Sequence, residues 1–167
     1  IQLTFPEEKS GSFELPGHDI LFSIPYEDEA YLVIDKPSPL PTMYSPRQGG
    51  ATLETGLYQR LGKPKDYLFR PINRLDKGTS GLMVVSKSKE VSQKFEEDWK
   101  GMVYDRRYVA VAWGKIEPPR GEVKSWFTDG EYCVLSSPTD NGGKLAVTHY
   151  EVRQTSRRYS LVELKLD

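Results

Sequence analysis

Seven β-rich runs parted by turn signals, against only two stretches with a helical period, restrict this chain to an α+β architecture. The runs are Ile20 to Ile24, Tyr31 to Asp35, Leu82 to Ser86, Arg107 to Trp113, Gly121 to Phe127, Lys144 to Val152 and Tyr159 to Leu166. None alternates with a helix in the βαβ manner, so a largely antiparallel or mixed sheet with two main helices is expected. The acidic turn Glu27-Asp28-Glu29 suggests that the first two runs form an antiparallel pair. Asp129-Gly130 and Asn141-Gly142-Gly143 supply residues that tolerate positive φ between later strands. In the last run Ser160, Val162, Leu164 and Leu166 make one face mostly apolar, which predicts a sheet covering a core.

Both helices announce their own starts. Thr52 is a plausible N-cap for a helix carrying Leu53, Leu57 and Leu61 and ending near Gly62 and Pro64. Ser88 would cap a second helix from Lys89 to Lys100, whose Val91, Phe95 and Trp99 recur every four positions and read as core packing. Between them, Lys36-Pro37-Ser38-Pro39-Leu40-Pro41 must leave the sheet, because proline donates no ladder hydrogen bond. Residues 1–18 show no sustained period and read as an N-terminal arm.

A length of 167 residues suits one core, placed here in residues 19–167. The longest apolar runs, such as Leu82 to Val85, are a handful of residues, too short to span a membrane. One cysteine, Cys133, leaves no partner for a disulfide and no Cys-based zinc site; it reads as a small buried or half-buried side chain. No basic, then apolar, then small-residue leader opens the chain, so a cytoplasmic setting is expected. The net charge of −1 conceals an asymmetry. Residues 1–35 carry one basic and eight acidic side chains, whereas residues 57–115 carry 13 basic and 7 acidic, a net of +6. That stretch is either a solvated basic surface or a place where a phosphate backbone docks.

With two histidines and one cysteine, the candidates for chemistry are carboxylates, hydroxyls and tyrosines. The most unusual segment is Arg74-Leu75-Asp76-Lys77-Gly78-Thr79-Ser80-Gly81, which runs directly into a strand. Two glycines and two small hydroxyl residues around one Asp allow the backbone to approach a ligand closely. Arg74 and Lys77 would favour an ionised Asp76, as a carboxylate nucleophile or base near neutral pH requires. The same residues also suit an ordinary turn, with Asp76 bonding its own backbone. His149, on a strand between Thr148 and Tyr150, reads as cross-strand packing, and His18 has no second ligand nearby.

Arg74-Leu75-Asp76-x-x-Thr79-Ser80-Gly81 followed by an apolar strand resembles the central motif of the RNA pseudouridine synthases of the ribosomal large-subunit type. Arg106-x-Tyr108-x-Ala110-x-Ala112-x-Gly114 is similar to the family's Tyr-bearing second motif, and Lys144-x-Ala146-x-Thr148-x-Tyr150 to the strand that follows it. Ser160-Leu161-Val162-Glu163-Leu164-x-Leu166 resembles the strand leading into the third, and Glu27 to Lys36 with Pro37 the first strand of the catalytic domain. Asn73 stands where many members have His, and Pro39 where many have Gly. The third motif's arginine, which in the family pairs with the catalytic aspartate, falls beyond Asp167, so the catalytic domain is expected to be truncated at its C-terminus.

The resemblance implies isomerisation of a uridine in ribosomal or transfer RNA, with no cofactor and no metal. Asp76 would be the essential group, attacking C1′ or taking a proton from C2′. Tyr108 would stack on the base and help remove the C5 proton. Arg74 would hold the flipped nucleotide, Lys77 would bind RNA beside it, and Arg106 and Arg107 would reach phosphates. The alternatives are a non-catalytic RNA-binding module of the same fold and, more remotely, a carboxylate-dependent hydrolase of small nucleosides.

Overall fold

A computed structural model of the chain describes residues 15–130 and 133–167. The first fourteen positions of the expected arm lie outside the described residues. Where one core was expected, contacts cluster the chain into two compact units, one ending at Trp99 and the other running from Lys100 to Asp167. The strands accordingly form two sheets, of three and five strands, and every pairing is antiparallel.

In the first unit, β1 (Ser23–Glu27), β2 (Tyr31–Lys36) and β3 (Gly81–Ser86) lie in that order. The predicted turn joins β1 to β2: Asp28 Oδ1 accepts the N–H groups of Ala30 and Tyr31, both at 2.8 Å. Along β2 the alternation buries Leu32, Ile34 and Lys36, which pair with Val85, Met83 and Gly81 of β3. Two apolar pairs and one Lys–Gly pair thus share a face.

Helix α1 (Leu53–Arg60) starts where expected. Thr52 Oγ1 accepts from Thr55 N and Thr55 Oγ1 accepts from Thr52 N, a reciprocal cap built from two threonines. The helix buries Leu53, Leu57 and Tyr58. Gly62, with φ +79°, turns the chain away in a conformation that favours glycine. The second helix is shorter than its apolar spacing predicts. α2 (Lys89–Glu97) stops at Asp98, whose φ of −133° leaves the helical region, and a single turn, α3 (Trp99–Met102), follows. Phe95 is buried, whereas Val91 and Trp99 are half-buried.

The second unit orders its strands β4-β8-β7-β5-β6. They are β4 (Arg107–Trp113), β5 (Arg120–Asp129), β6 (Val134–Ser137), β7 (Lys144–Thr155) and β8 (Tyr159–Leu166). β6 was not expected. Its four residues show no alternation to read, since Val134 and Leu135 are both exposed, and it exists as the return arm of a hairpin closed by Gly130 N donating to Cys133 O. β8 lies between β4 and β7, with Ser160 and Val162 buried. On β4, Arg107, Val109, Val111 and Trp113 are exposed, and Tyr108, Ala110 and Ala112 form the half-buried face.

Candidate active site

The loop from Arg74 to Gly81 is held by its backbone and offers its polar side chains outward. Leu75 is buried, and its carbonyl accepts from Thr42 Oγ1 at 2.6 Å. Two residues on, the Lys77 carbonyl accepts from Leu40 N at 2.9 Å. Thr79 N closes a turn onto the Asp76 carbonyl at 3.0 Å. Gly81 then enters β3 with φ +129°, a value that side-chain-bearing residues rarely adopt, which accounts for glycine at the loop's exit. Asp76 therefore sits between two clamped carbonyls, with its own side chain exposed.

Arg74, Asp76 and Lys77 are brought together on this loop, and all three are exposed. Among the described residues, no ion pair joins Asp76 to Arg74 or to Lys77. Lys36, to which the sequence reading gives no role, bonds the segment that the loop's Lys77 carbonyl holds. Lys36 is fully buried; its Nζ donates to Leu40 O at 2.7 Å and to Pro37 O at 3.1 Å. Burial pushes its pKa below the ordinary lysine value, and the negative charge of Asp76 opposes that shift.

Asn73, which departs from the family's usual histidine, has a local task. Its Oδ1 accepts from Val84 N at 2.9 Å, satisfying an N–H on the edge of β3. Ile72 N and Ser86 N continue the same edge by bonding to Val84 O and Arg70 O. A hollow of about 390 Å³ beside this segment is lined by Arg70, Ile72, Lys89, Phe95 and Trp99 and contains no residue of the Asp76 loop.

Tyr108, Arg106 and Arg107 belong to the second unit. Tyr108 is half-buried opposite Leu164, on the face it shares with Ala110 and Ala112. Arg106 donates to the Asp167 carbonyl. Arg107 is committed to acids: Nε lies 2.9 Å from Asp105 Oδ2 and NH1 lies 3.0 Å from Glu163 Oε1. Those contacts, the hydrogen bond to Asp105 first, raise its pKa further. His149 is exposed rather than packed, with Nε2 3.2 Å from the Asp167 carboxylate, and Cys133 is exposed where a buried or half-buried position was expected. Among the described residues no group of three or more His, Cys, Asp or Glu side chains is placed to hold a metal, and no helix is long and apolar enough to cross a membrane.

Residues 30–167 match the RNA pseudouridylate synthase family, and the chain belongs to it. The ribosomal large subunit pseudouridine synthase C of Rickettsia bellii is 33% identical over 135 residues, covering 76% of this chain and 42% of its own length. The ribosomal large subunit pseudouridine synthase D of Pseudomonas aeruginosa is 31% identical over 173 residues, covering 99% of this chain and 52% of its own length. The chain thus spans about half the length of these relatives. In fold it is similar to human RNA pseudouridylate synthase domain containing 1, with a TM-score of 0.67 at 22% identity over 90% of this chain and 61% of that one.

Proposed function

We propose that the protein isomerises uridine to pseudouridine in RNA, with Asp76 as its essential group. The observation that carries this reading is the presentation of Asp76. Its carboxylate is exposed between the clamped carbonyls of Leu75 and Lys77, within the span that matches the family. Preorganised backbone and an accessible carboxylate are what attack on C1′, or removal of a proton from C2′, requires. The reaction breaks the N1–C1′ bond, turns the uracil and forms C5–C1′; C5 gives up a proton and N1 gains one. It is a redox-neutral isomerisation, so it calls for no cofactor or metal.

In this reading Tyr108 stacks on the base, Arg74 and Lys77 hold the displaced nucleotide, and Arg106 contributes positive charge toward phosphate, while Arg107 is occupied by Asp105 and Glu163. The names of the relatives favour ribosomal over transfer RNA as the substrate. Asp76→Asn tests the reading. It is expected to abolish pseudouridine formation and to change stability by no more than about 1 kcal/mol, because the side chain is exposed. Turnover by Asp76→Asn at the unsubstituted rate would refute it, and RNA binding without any pseudouridine from the unsubstituted full-length protein would favour the non-catalytic module.

A further inference from the structure

The hollow of about 390 Å³ beside β3 has two walls, segment 70–72 and helix α2, and both are anchored. Ile72 N bonds Val84 O at 2.8 Å and Ser86 N bonds Arg70 O at 2.9 Å, which fixes the first wall to β3. Ser92 Oγ lies 2.5 Å from Ser86 Oγ, and the Phe95 ring meets Tyr31 at right angles with centroids 6.5 Å apart, which fixes the second. The space between the walls is therefore preformed. Its volume lies in the lower part of the range of about 300–1,000 Å³ that ligand sites occupy.

The lining joins charge to aromatic surface. Arg70 is half-buried and Lys89 is exposed, and among the described residues neither has a carboxylate within ion-pairing distance. Withdrawing a guanidinium from water without an anion beside it is a cost to folding, which the hollow's occupant would offset. Phe95 and Trp99, buried and half-buried, line the same hollow. Cations beside aromatic rings are the means by which proteins hold single-stranded nucleic acid, the charge serving phosphate and the ring serving a base. Glu96, also in the lining and exposed, can accept from a base N–H.

The hollow is also near the candidate catalytic carboxylate. Arg70 precedes Asp76 by six positions, so their Cα atoms are no more than about 22 Å apart. A strand of RNA presented to Asp76 thus passes the hollow within a few nucleotides. An acidic peptide would satisfy the two cations but would leave the aromatic surface without a partner.

We propose that this hollow binds one unpaired nucleotide of the RNA substrate, other than the target uridine: Arg70 and Lys89 hold the flanking phosphates and Trp99 stacks on the base. This rests on the reading of the protein as acting on RNA. The hollow supplies affinity for the strand and takes no part in the chemistry.

The first test needs no turnover. Binding of a short single-stranded oligoribonucleotide of mixed sequence to the full-length protein is measured against salt, for the unsubstituted chain and for Arg70→Gln with Lys89→Gln. Each phosphate contact with a single strand contributes about 0.7 to the slope of log K against log salt, so the double variant is expected to lose about 1.4. An unchanged slope would overturn the proposal whatever Asp76 does. Trp99→Leu removes the ring and keeps apolar bulk; it is expected to weaken binding about fivefold or more with the slope unchanged, and undiminished affinity would refute the stacking. If Trp99→Leu does not fold, the double variant still decides, since Lys89 is exposed and the Arg70 guanidinium pairs with no described carboxylate. Poly-L-glutamate is the control polyanion: if its binding depends on Arg70 and Lys89 while that of RNA does not, the hollow is a site for protein and the proposal fails. The second test is kinetic. The double variant should raise KM on RNA and leave kcat unchanged, and a lowered kcat with unchanged KM would count against the proposal. Asp76→Asn active at the unsubstituted rate would sink the catalytic reading alone, because the binding slopes do not depend on it.

Discussion

Thr42 offers a direct measure of how firmly the Asp76 loop is held. Its hydroxyl donates to the Leu75 carbonyl at 2.6 Å, and both residues are buried, at 6% and 7% exposure, so water does not readily replace the bond. Thr42→Val keeps the branched shape and removes the donor. The Leu75 carbonyl is then left without that partner in a buried site, at a cost of about 1–3 kcal/mol. For a chain of this size each kcal/mol lowers the melting temperature by about 2–4 °C. A fall of about 2–12 °C is therefore expected by circular dichroism.

The local effect is sharper than the global one. The amide of Leu40, bonded to Lys77 O, and the amide of Thr79, bonded to Asp76 O, should exchange hydrogen faster in Thr42→Val, because both bonds depend on where the loop sits. A displacement of about 1 Å at a reacting group can cost about 10²-fold in rate, so pseudouridine formation should fall by more than the stability loss explains. Thr42→Ser keeps the hydroxyl and serves as the control. If Thr42→Val melts with the unsubstituted protein and leaves both amides equally protected, the clamp on Leu75 does not hold the loop and the reasoning fails.

Three further outcomes follow from the geometry. Leu57→Ala, at a position only 2% exposed on α1, should cost about 2–5 kcal/mol in urea unfolding through the cavity it leaves. Arg107→Ala should change the salt dependence of RNA binding by well under one charge, because Asp105 and Glu163 already occupy the guanidinium; loss of a full unit of slope would show that it swings out to phosphate. The hydrogen bond from Arg153, with the charges of Arg153 and Arg107, holds the Glu163 carboxyl below its ordinary value of 4.5, so its contribution to stability is complete above that pH and is lost as pH falls through the lowered value. The melting temperature of Glu163→Gln should therefore fall less steeply than that of the unsubstituted chain in acid below about pH 4.5.

The elements that were legible in the sequence carry their own signals. β4 and β8 have the limits that alternation gives them, and Thr52 starts α1 because the cap is a bond between residues three apart. α2 was read too long because apolar spacing carries no information about the backbone of Asp98, where the helix breaks. The division into two units depends on which strands pair, a choice made by contacts far apart in the chain. At the candidate site, the motif brought Asp76 into view by resemblance. What fixes Asp76 in space did not show, since Thr42 reaches Leu75 across 33 positions and Leu40 reaches Lys77 through backbone alone.

Lys36 is the instructive omission, and one residue of strand length accounts for it. Ending the second strand at Asp35 leaves Lys36 at the head of a proline-rich exit, where a lysine calls for no explanation. The ladder continues one pair further, to Lys36 opposite Gly81, and that pair puts the ammonium on the same face as Ile34 and Met83. Gly81 has no side chain to cover it, and the prolines that follow turn the chain so that two carbonyls, of Pro37 and Leu40, come back onto Nζ. A stretch that reads as the end of a strand is therefore a cage for a cation, built by residues that the sheet could not otherwise use. The signal that could have found it is the period itself: counting inward positions from Leu32 by twos arrives at Lys36, and a charge at an inward position of a buried face is the anomaly to pursue.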